Sequence, residues 1–359
     1  MVWSSYLVRP QSGEKRLPIK VADNQWGTVI NGIGDGQTTL KLGDLTPSVN
    51  DALAEDETRP WDRAIVTCWD DVPVYAGLIM RHRWVEKTGT LLLKHRELRE
   101  IASRRYPFMV PTFNKAGTLV ISGKSKRGLL RRLIEIAYIS EPGDNWHFPV
   151  ALGPDEAGAE PDFVKPNEKI TNIEQMFSEV QDMDGGPDWY LRQAWDGDGR
   201  LYWQSEIGAP KLSAGMVEYH AFAATSPVTE LAQDTDGTGQ ATGVYGVGEG
   251  SGQDMIVGLA GQLPYDPDEQ IPDMDVRRSY KGVESEAVAN SLALGDLKSV
   301  RNPTRQLSFK LHARELSRVK LGSTVRLHLD GSKFLRGVRD TYVIGISGDG
   351  TDHVTVEVQ

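Results

Sequence analysis

The chain has 359 residues, 39% hydrophobic and 25% charged, with 50 Asp and Glu against 40 Lys and Arg for a formal charge of -10. That length has room for roughly two to four domains with real cores, while the absence of any ~20-residue apolar run excludes a membrane helix. The single cysteine, Cys68, excludes an intrachain disulfide and a four-cysteine zinc site, and the carboxylate excess disfavours gripping phosphates.

The start, Met1 to Pro10, carries no basic leader or long apolar run, so synthesis in a reducing cytosol without export or membrane anchor is expected. The 37 glycines and 19 prolines make about 16% of the chain, above the ~12% background, which suits many short strands and tight turns.

Strand character starts at 19–45, with Trp26, Val29, Leu40 and Leu42 among glycines and a hairpin turn expected at 33–38. The polar, acidic stretch 47–60 reads as a surface loop. Strands at 61–69 and 72–84 meet at Asp70-Asp71, and Thr88-Gly89 turns into a further strand over 90–94. This is the meander of an antiparallel sheet or barrel. The pattern then changes. Helical spacing runs over 96–105 and, most clearly, over 125–139, where Leu129, Leu130, Leu133, Ile134 and Ala137 form one stripe. After a proline-rich loop at 141–166, Thr171 and Glu174 predict a capping box for a helix over 171–184. Strands at 188–195 and 200–207 flank Asp196-Gly197-Asp198-Gly199, a strong hairpin signal. Short strands at 229–232 and 242–247 flank a turn at 234–239, a loop spans 265–275, and a helix covers 285–297. The chain closes with strands at 306–312, 324–329, 339–347 and 353–358. The order is strands, a mixed helix and hairpin centre, then strands with one helix: a β-rich α+β protein with no short tandem repeat.

Few motifs suggest chemistry. The glycine run from Gly246 to Gly252 lacks both the spacing and the following helix of a dinucleotide loop, and reads as a strand-end loop. Asp182, Asp184 and Asp188 fail the calcium-loop pattern, because Pro187 stands where its glycine should be. The seven histidines make no HxxxH or HExxH pair. Structural histidines are the expectation, with a zinc site from distant ones left open. Cys68 sits in a strand and reads as an inert thiol, and no GxSxG elbow occurs. Lys124, Lys126, Arg127, Arg131 and Arg132 crowd one helix start without the interleaved aromatics of a nucleic-acid site. A solvated or ion-paired face is the reading there. The aromatic hairpin offers the one enzyme-like alternative. Trp189, Trp195 and Trp203 could stack on a sugar, with Asp188 and Glu206 as a carboxylate pair for glycan binding or cleavage. Packing against the helix of Ile173 and Phe177 is the plainer reading. No catalytic, cofactor or metal-binding residue is nominated.

Several stretches resemble minor tail proteins of long-tailed bacteriophages that infect Actinobacteria, within the tail-tip (baseplate) hub family. They are Val74-Tyr75-Ala76-Gly77-Leu78-Ile79, Gly186-Pro187-Asp188-Trp189-Tyr190-Leu191 with Arg200-Leu201-Tyr202-Trp203, Gly243-Val244-Tyr245-Gly246-Val247-Gly248-Glu249-Gly250, and Leu321-Gly322-Ser323-Thr324-Val325 with Val343-Ile344-Gly345-Ile346-Ser347. The resemblance implies two tail-tube-like β-barrel domains, at 1–95 and 216–359, around a mixed helix/strand insert at 96–215. It implies a homotrimer whose six barrels form a pseudo-sixfold ring between the tail tube and the distal tip. Other tail-tip proteins, and a tape-measure protein, would be partners in the virion. DNA would pass through the lumen without specific binding, past carboxylates that repel it. Interfaces at sheet edges and strand-borne apolar residues are expected, with no cofactor. Because the chain closes on a strand at Gln359, wall cleavage or fibres are expected from another protein.

Overall fold

The computed structural model describes residues 2–42, 56–140, 146–183, 185–261, 271–280, 283 and 285–359. In chain order the elements are β1 (Trp3–Val8), β2 (Lys15–Ile19), β3 (Val21–Val29), β4 (Asp35–Lys41), β5 (Ala64–Trp69), β6 (Val72–Val85), β7 (Thr90–Glu97), β8 (Thr118–Ile121), α1 (Lys126–Tyr138), β9 (Val150–Ala151), β10 (Phe163–Pro166) and α2 (Ile173–Gln181). Then come β11 (Trp189–Trp195), β12 (Leu201–Ile207), β13 (Met216–His220), β14 (Val228–Asp236), β15 (Gly243–Val247), β16 (Val257–Ala260), β17 (Asp275–Ser279), α3 (Glu286–Val300), β18 (Thr304–His312), β19 (Thr324–His328), β20 (Val338–Gly348) and β21 (His353–Val358). The chain forms two compact bodies, one of Met1–Leu231 with Ser308–Gln359 and one of Ala232–Leu307.

The first body is built on a 13-stranded sheet in the order β14-β18-β21-β20-β3-β4-β7-β6-β5-β1-β2, with β19 and β13 branching from β20. The first and last quarters of the sequence share it: β3 pairs antiparallel with β20, Val29 opposite Gly345. The β5–β6 hairpin turns on Asp70 and Asp71, both left-handed at φ 49 and 62, the geometry that matches strand twist in a two-residue loop. Successive side chains point to opposite faces. Leu7 of β1 therefore joins Leu40, Leu42, Ile79, Leu91 and Leu93 on one face, with Leu17, Ile19 and Val21 against them. Those residues come from both ends of the β3-to-β2 run, so the sheet curls around them. On the other face Val8, Ala64, Val66, Cys68 and Leu78 pack with Leu129, Leu133 and Ile134 of α1, Phe177 of α2, and Trp189 and Trp203 of the β11–β12 hairpin.

A directional chain of hydrogen bonds crosses the curled face. Tyr75 donates to His95 Nδ1 (2.9 Å), His95 Nε2 meets Thr38 Oγ1 (3.0 Å), Thr38 donates to Asn24 Oδ1 (2.7 Å), and Asn24 Nδ2 donates to Thr67 (3.0 Å). Burial pushes the His95 imidazole down to about 3, so the ring stays neutral, and pushes the Tyr75 phenol well up. Every member has a partner, which is the condition under which buried polar groups fix a register without a desolvation penalty.

The expected β3–β4 turn at 33–38 lies earlier, at 30–34, and Asp35 already belongs to β4. Asn31 takes the left-handed conformation at φ 59. Its side chain donates to Asp188 (2.7 Å) and accepts from Gln181 Nε2 and the Trp189 amide (both 2.9 Å), tying the turn to the helical layer. Gly36 serves close packing instead of turning. A Cβ there would stand 2.4 Å from the Gln25 carbonyl and from His95. The 96–105 helix is a 3₁₀ segment over Leu98–Arg104. The α2 capping box sits one residue later than expected, on Asn172 and Gln175. The strand expected at 229–232 is part of β14 and pairs with β18, not with β15. Of the loops expected at 47–60 and 265–275, residues 47–55 and 265–270 lie outside the described residues, as do 43–45 of the expected strand stretch.

The second body is a three-stranded sheet, β16-β15-β17, with α3 on one face. Ala289, Ala293 and Leu297 repeat at helical spacing, and with Val244 and Ala260 form the core. Gly246 and Gly258 are cross-strand partners: Gly246 makes room for the Tyr280 ring, and the helix sits almost on the backbone of Gly258. A Cβ on Gly258 would lie 2.2 Å from the Ala289 backbone. The glycine-rich run serves the same closeness. Gly248 abuts the Val283 carbonyl and Gly250 has φ +105, while only the short Gly252–Asp254 3₁₀ turn follows.

Two predictions follow from this packing. Gly258→Ala should push α3 off its sheet and cost about 1–3 kcal/mol. Hydrogen exchange should then speed up in β15, β16 and α3, and unchanged protection there would refute the packing argument. The second concerns Glu97, whose carboxylate lies under the 30–34 turn and accepts from Thr28 Oγ1 (2.6 Å) and the Gly34 amide (2.8 Å). Burial raises it to about 7. The native chain therefore holds this proton more tightly than the unfolded chain does. Stability from this group is full below the unfolded carboxylate range, near 4.5, and falls as pH rises towards about 7. Urea unfolding at pH 5 and pH 8 should show Glu97→Gln losing about 2 kcal/mol less than the wild type over that interval. Equal losses would refute the assignment.

Candidate assembly surface

The hairpin that carried the enzyme-like alternative is well ordered into the core. Trp189 and Trp203 are buried at 0% and 1% exposure. The Trp189 ring packs against Phe177 at 4.6 Å between centroids and under the Arg99 guanidinium at 4.6 Å. Neither ring offers a face to solvent. Trp195 lies at the rim, where its Nε1 donates to the Asp71 carbonyl (2.9 Å), Lys15 sits over its ring at 3.9 Å, and Tyr6 meets it edge-on. Glu206 pairs with Arg192 (2.9 Å). Asp188 accepts from Asn31 and from the Tyr342 hydroxyl (2.8 Å), so it joins the β3–β4 turn to β20. Each carboxylate is therefore engaged by its own structural donor.

Among the clefts of the first body, two border the sheet residues discussed above. The larger, about 660 Å³, is polar and lined by Asp35, Arg81, Lys94, Arg96, Lys310 and Asp349 among others. His95 borders it but is held neutral by burial and committed to Thr38 and Tyr75, so it is a poor general base near neutrality. The smaller cleft, about 340 Å³, is mainly apolar, between Val72, Tyr190, Trp195, Leu321 and Ile346. Cys68 is fully buried, and burial pushes its thiol up to about 12, far from a reactive thiolate.

The basic start of α1 is neutralised within the chain. Lys124 pairs with Asp155, Lys126 with Glu160 (3.8 Å), Arg127 with Glu156 (2.8 Å), and both Arg131 (3.0 Å) and Arg132 (2.9 Å) with Glu135. The 155–160 segment, which the sequence showed only as loop, supplies most of those partners.

One group of exposed apolar residues lies on strand and helix faces. On the second body, Tyr245 (48% exposed) opposes Leu259 (60%), and Val257 (39%) opposes Val247, all on the sheet. On α3, Val288, Leu292 and Leu294 point away from the Ala289–Ala293–Leu297 core stripe. A helix apolar around most of its circumference is ordinarily covered on more than one side. In the first body, β2 and β14 end the main run of the sheet and β13 ends its branch, among the described residues. β2 carries Lys15, Arg16 and Pro18, and β14 carries Glu230, which takes φ 49 and pairs with Lys310. Charge, proline and local distortion are devices that blunt sheet edges.

No family model and no curated protein sequence matches the chain. Solved structures do. The chain is similar to the 43 kDa tail protein of prophage MuSo2 from Shewanella oneidensis, with a TM-score of 0.58, 10% identity, and coverage of 99% of this chain and 98% of that one. It is similar to the tail protein from Neisseria meningitidis MC58, with a TM-score of 0.55, 12% identity, and coverage of 100% and 96%. It also resembles a chain of the Francisella PdpA–VgrG complex, at a TM-score of 0.50 and 8% identity over 99% of this chain and 57% of that one. At such identities the likeness is one of fold: this β-rich α+β chain has, end to end, the fold of those tail proteins.

Proposed function

We propose that the chain is a non-enzymatic structural subunit of a bacteriophage tail tip. In this reading it acts as a homotrimer, two tail-tube-like β domains per chain forming a pseudo-sixfold ring that joins the tail tube to distal tip proteins. The parent particle is a long-tailed phage of Actinobacteria, and the chain is made in the host cytoplasm. The segments 1–95 and 216–359 supply the two β domains, with 96–215 as the insert. A tape-measure protein and other tip proteins are its neighbours. The observation that carries this reading is the end-to-end likeness to the Shewanella prophage tail protein. The curling of the β3-to-β2 run around its own core is compatible with a tube-forming domain. The formal charge of -10 per chain fits a lumen that repels DNA phosphates, so that the genome slides past without binding.

The test is solution mass by light scattering, at micromolar concentration, with and without the adjoining tail proteins. The reading expects a species of three times 39.7 kDa. The Tyr245–Leu259 face is a candidate contact, so Leu259→Asp should shift that species towards monomer by at least about tenfold in dissociation constant if the face is a buried hot spot. A chain that stays monomeric alone and beside its tail partners would sink the trimer. A trimer indifferent to Leu259→Asp would sink only this choice of face.

A further inference from the structure

The parallel pairing of β13 with β19 sets His220 opposite His328 and Glu218 opposite Arg326. Glu218 and His220 are two residues apart on one strand and so share a face. The two imidazoles stack at 4.2 Å between centroids and 18° between planes. His328 Nε2 shares a hydrogen with a Glu218 carboxylate oxygen. One ligand atom from each of the three residues lies within 4.8 Å of the other two. Arg326, the residue that stands beside Glu218, is already engaged by Asp340 through two contacts of 2.7 and 2.8 Å. The Glu218 carboxylate is therefore left to the histidines.

We propose that Glu218, His220 and His328 form a binding site for a divalent transition metal of the zinc class. Two imidazole nitrogens and one carboxylate oxygen are the ligand set such an ion takes at ~2.0–2.2 Å, with a fourth position for water. Bonds of that length set ligand atoms about 3.3–3.5 Å from one another, so the hydrogen-bonded His328–Glu218 pair must open slightly while His220 swings in to meet them. The stacked rings must also turn, since a shared ion lies in the plane of each imidazole. His220 and Glu218 are exposed and rotate without disturbing the core, while half-buried His328 serves as the fixed ligand. The strand beneath does not move. Val217 and Tyr219 are buried on its other face, and the Tyr219 hydroxyl donates to Glu315 (2.8 Å). Among the described residues β13 has β19 as its one neighbour, and Glu218 and His220 are exposed along that strand edge. On binding, the proton shared by His328 and Glu218 passes to water, with the imidazole left as its neutral Nδ1–H tautomer, which frees the Nε2 lone pair and a carboxylate oxygen for the ion.

The test uses the full chain, stripped with chelator and titrated with Zn²⁺ by calorimetry and with Co²⁺ by visible absorption. The expected result is about one ion per chain and the intense bands of four-coordinate Co²⁺. His220→Gln and Glu218→Gln, both at exposed positions, should each weaken Zn²⁺ binding at least about tenfold, with the far-ultraviolet circular dichroism unchanged. His328→Ala should abolish it. Should His328→Ala fail to fold, the two exposed variants decide. Zn²⁺ uptake weaker than about 1 mM, or uptake that His220→Gln leaves intact, would overturn the site.

Discussion

Strand β5 is buried at all six positions, and that one condition organises the first body. A strand with a single covered face alternates between buried and exposed positions, whereas one without exposed positions needs a layer on each side. On one side the sheet supplies the cover itself by curling, so that Leu7, Leu40, Ile79, Leu91 and Leu93 close over one another. On the other side cover comes from outside the meander: α1, α2 and the β11–β12 hairpin bring Leu130, Leu133, Phe177, Trp189 and Trp203. The hairpin tryptophans are consumed by this second layer. Their burial is the physical reason that they make a poor sugar platform.

The two layers are held in register by polar groups that have few alternatives. Arg99 is 3% exposed and grips Glu174 of α2 through three contacts of 2.7 to 3.0 Å, with its plane over Trp189. Removing either partner would strand a buried charge, which costs more than the pair contributes. Asn31 does the same without charge, since its amide is satisfied on both sides by Asp188, Gln181 and Trp189. Such contacts add less to net stability than the core does, but they permit only one seating of the helical layer on the sheet.

Most of the elements are legible in the sequence and their pairing is not. The α1 stripe, the Asp70-Asp71 turn, the Asp196–Gly199 hairpin and the Val354–Val356–Val358 alternation each announce a local conformation, and each appears where its spacing places it. β1 and β2 escape notice because Trp3 to Ile19 is broken by Pro10, Gly13 and Pro18 and shows little alternation. β13 escapes because it has five residues and takes its partner from far along the chain, in a parallel pairing that no turn signals. That missed strand is also why His220 and His328 look unrelated in the sequence. Periodicity reports which face a residue occupies, and a ligand set assembled across a sheet needs the register as well.

The expected interfaces are sheet edges and strand-borne apolar residues, and the two kinds of surface differ here in charge. The edge strands carry Lys15, Arg16 and Pro18 at one end and Glu230, Asp234 and Asp236 at the other, and each charge stripped of water for a new ladder would need a partner. On the second body the exposed apolar residues lie elsewhere, on the broad face of its sheet and the outer side of its helix. In the second body, glycine at position 258 brings helix and sheet so close that Ala289, Ala293 and Leu297 complete the core, while Gly246 leaves room for the Tyr280 ring. Larger apolar side chains, Tyr245, Leu259, Val288 and Leu292, are left outward on both faces. A thin two-layer unit with an apolar surface on each side is the kind of surface that the proposed ring, with its heterologous contacts, would cover. The same thinness explains why the second body has so small a core of its own: area that a solitary domain would bury internally is here directed outward.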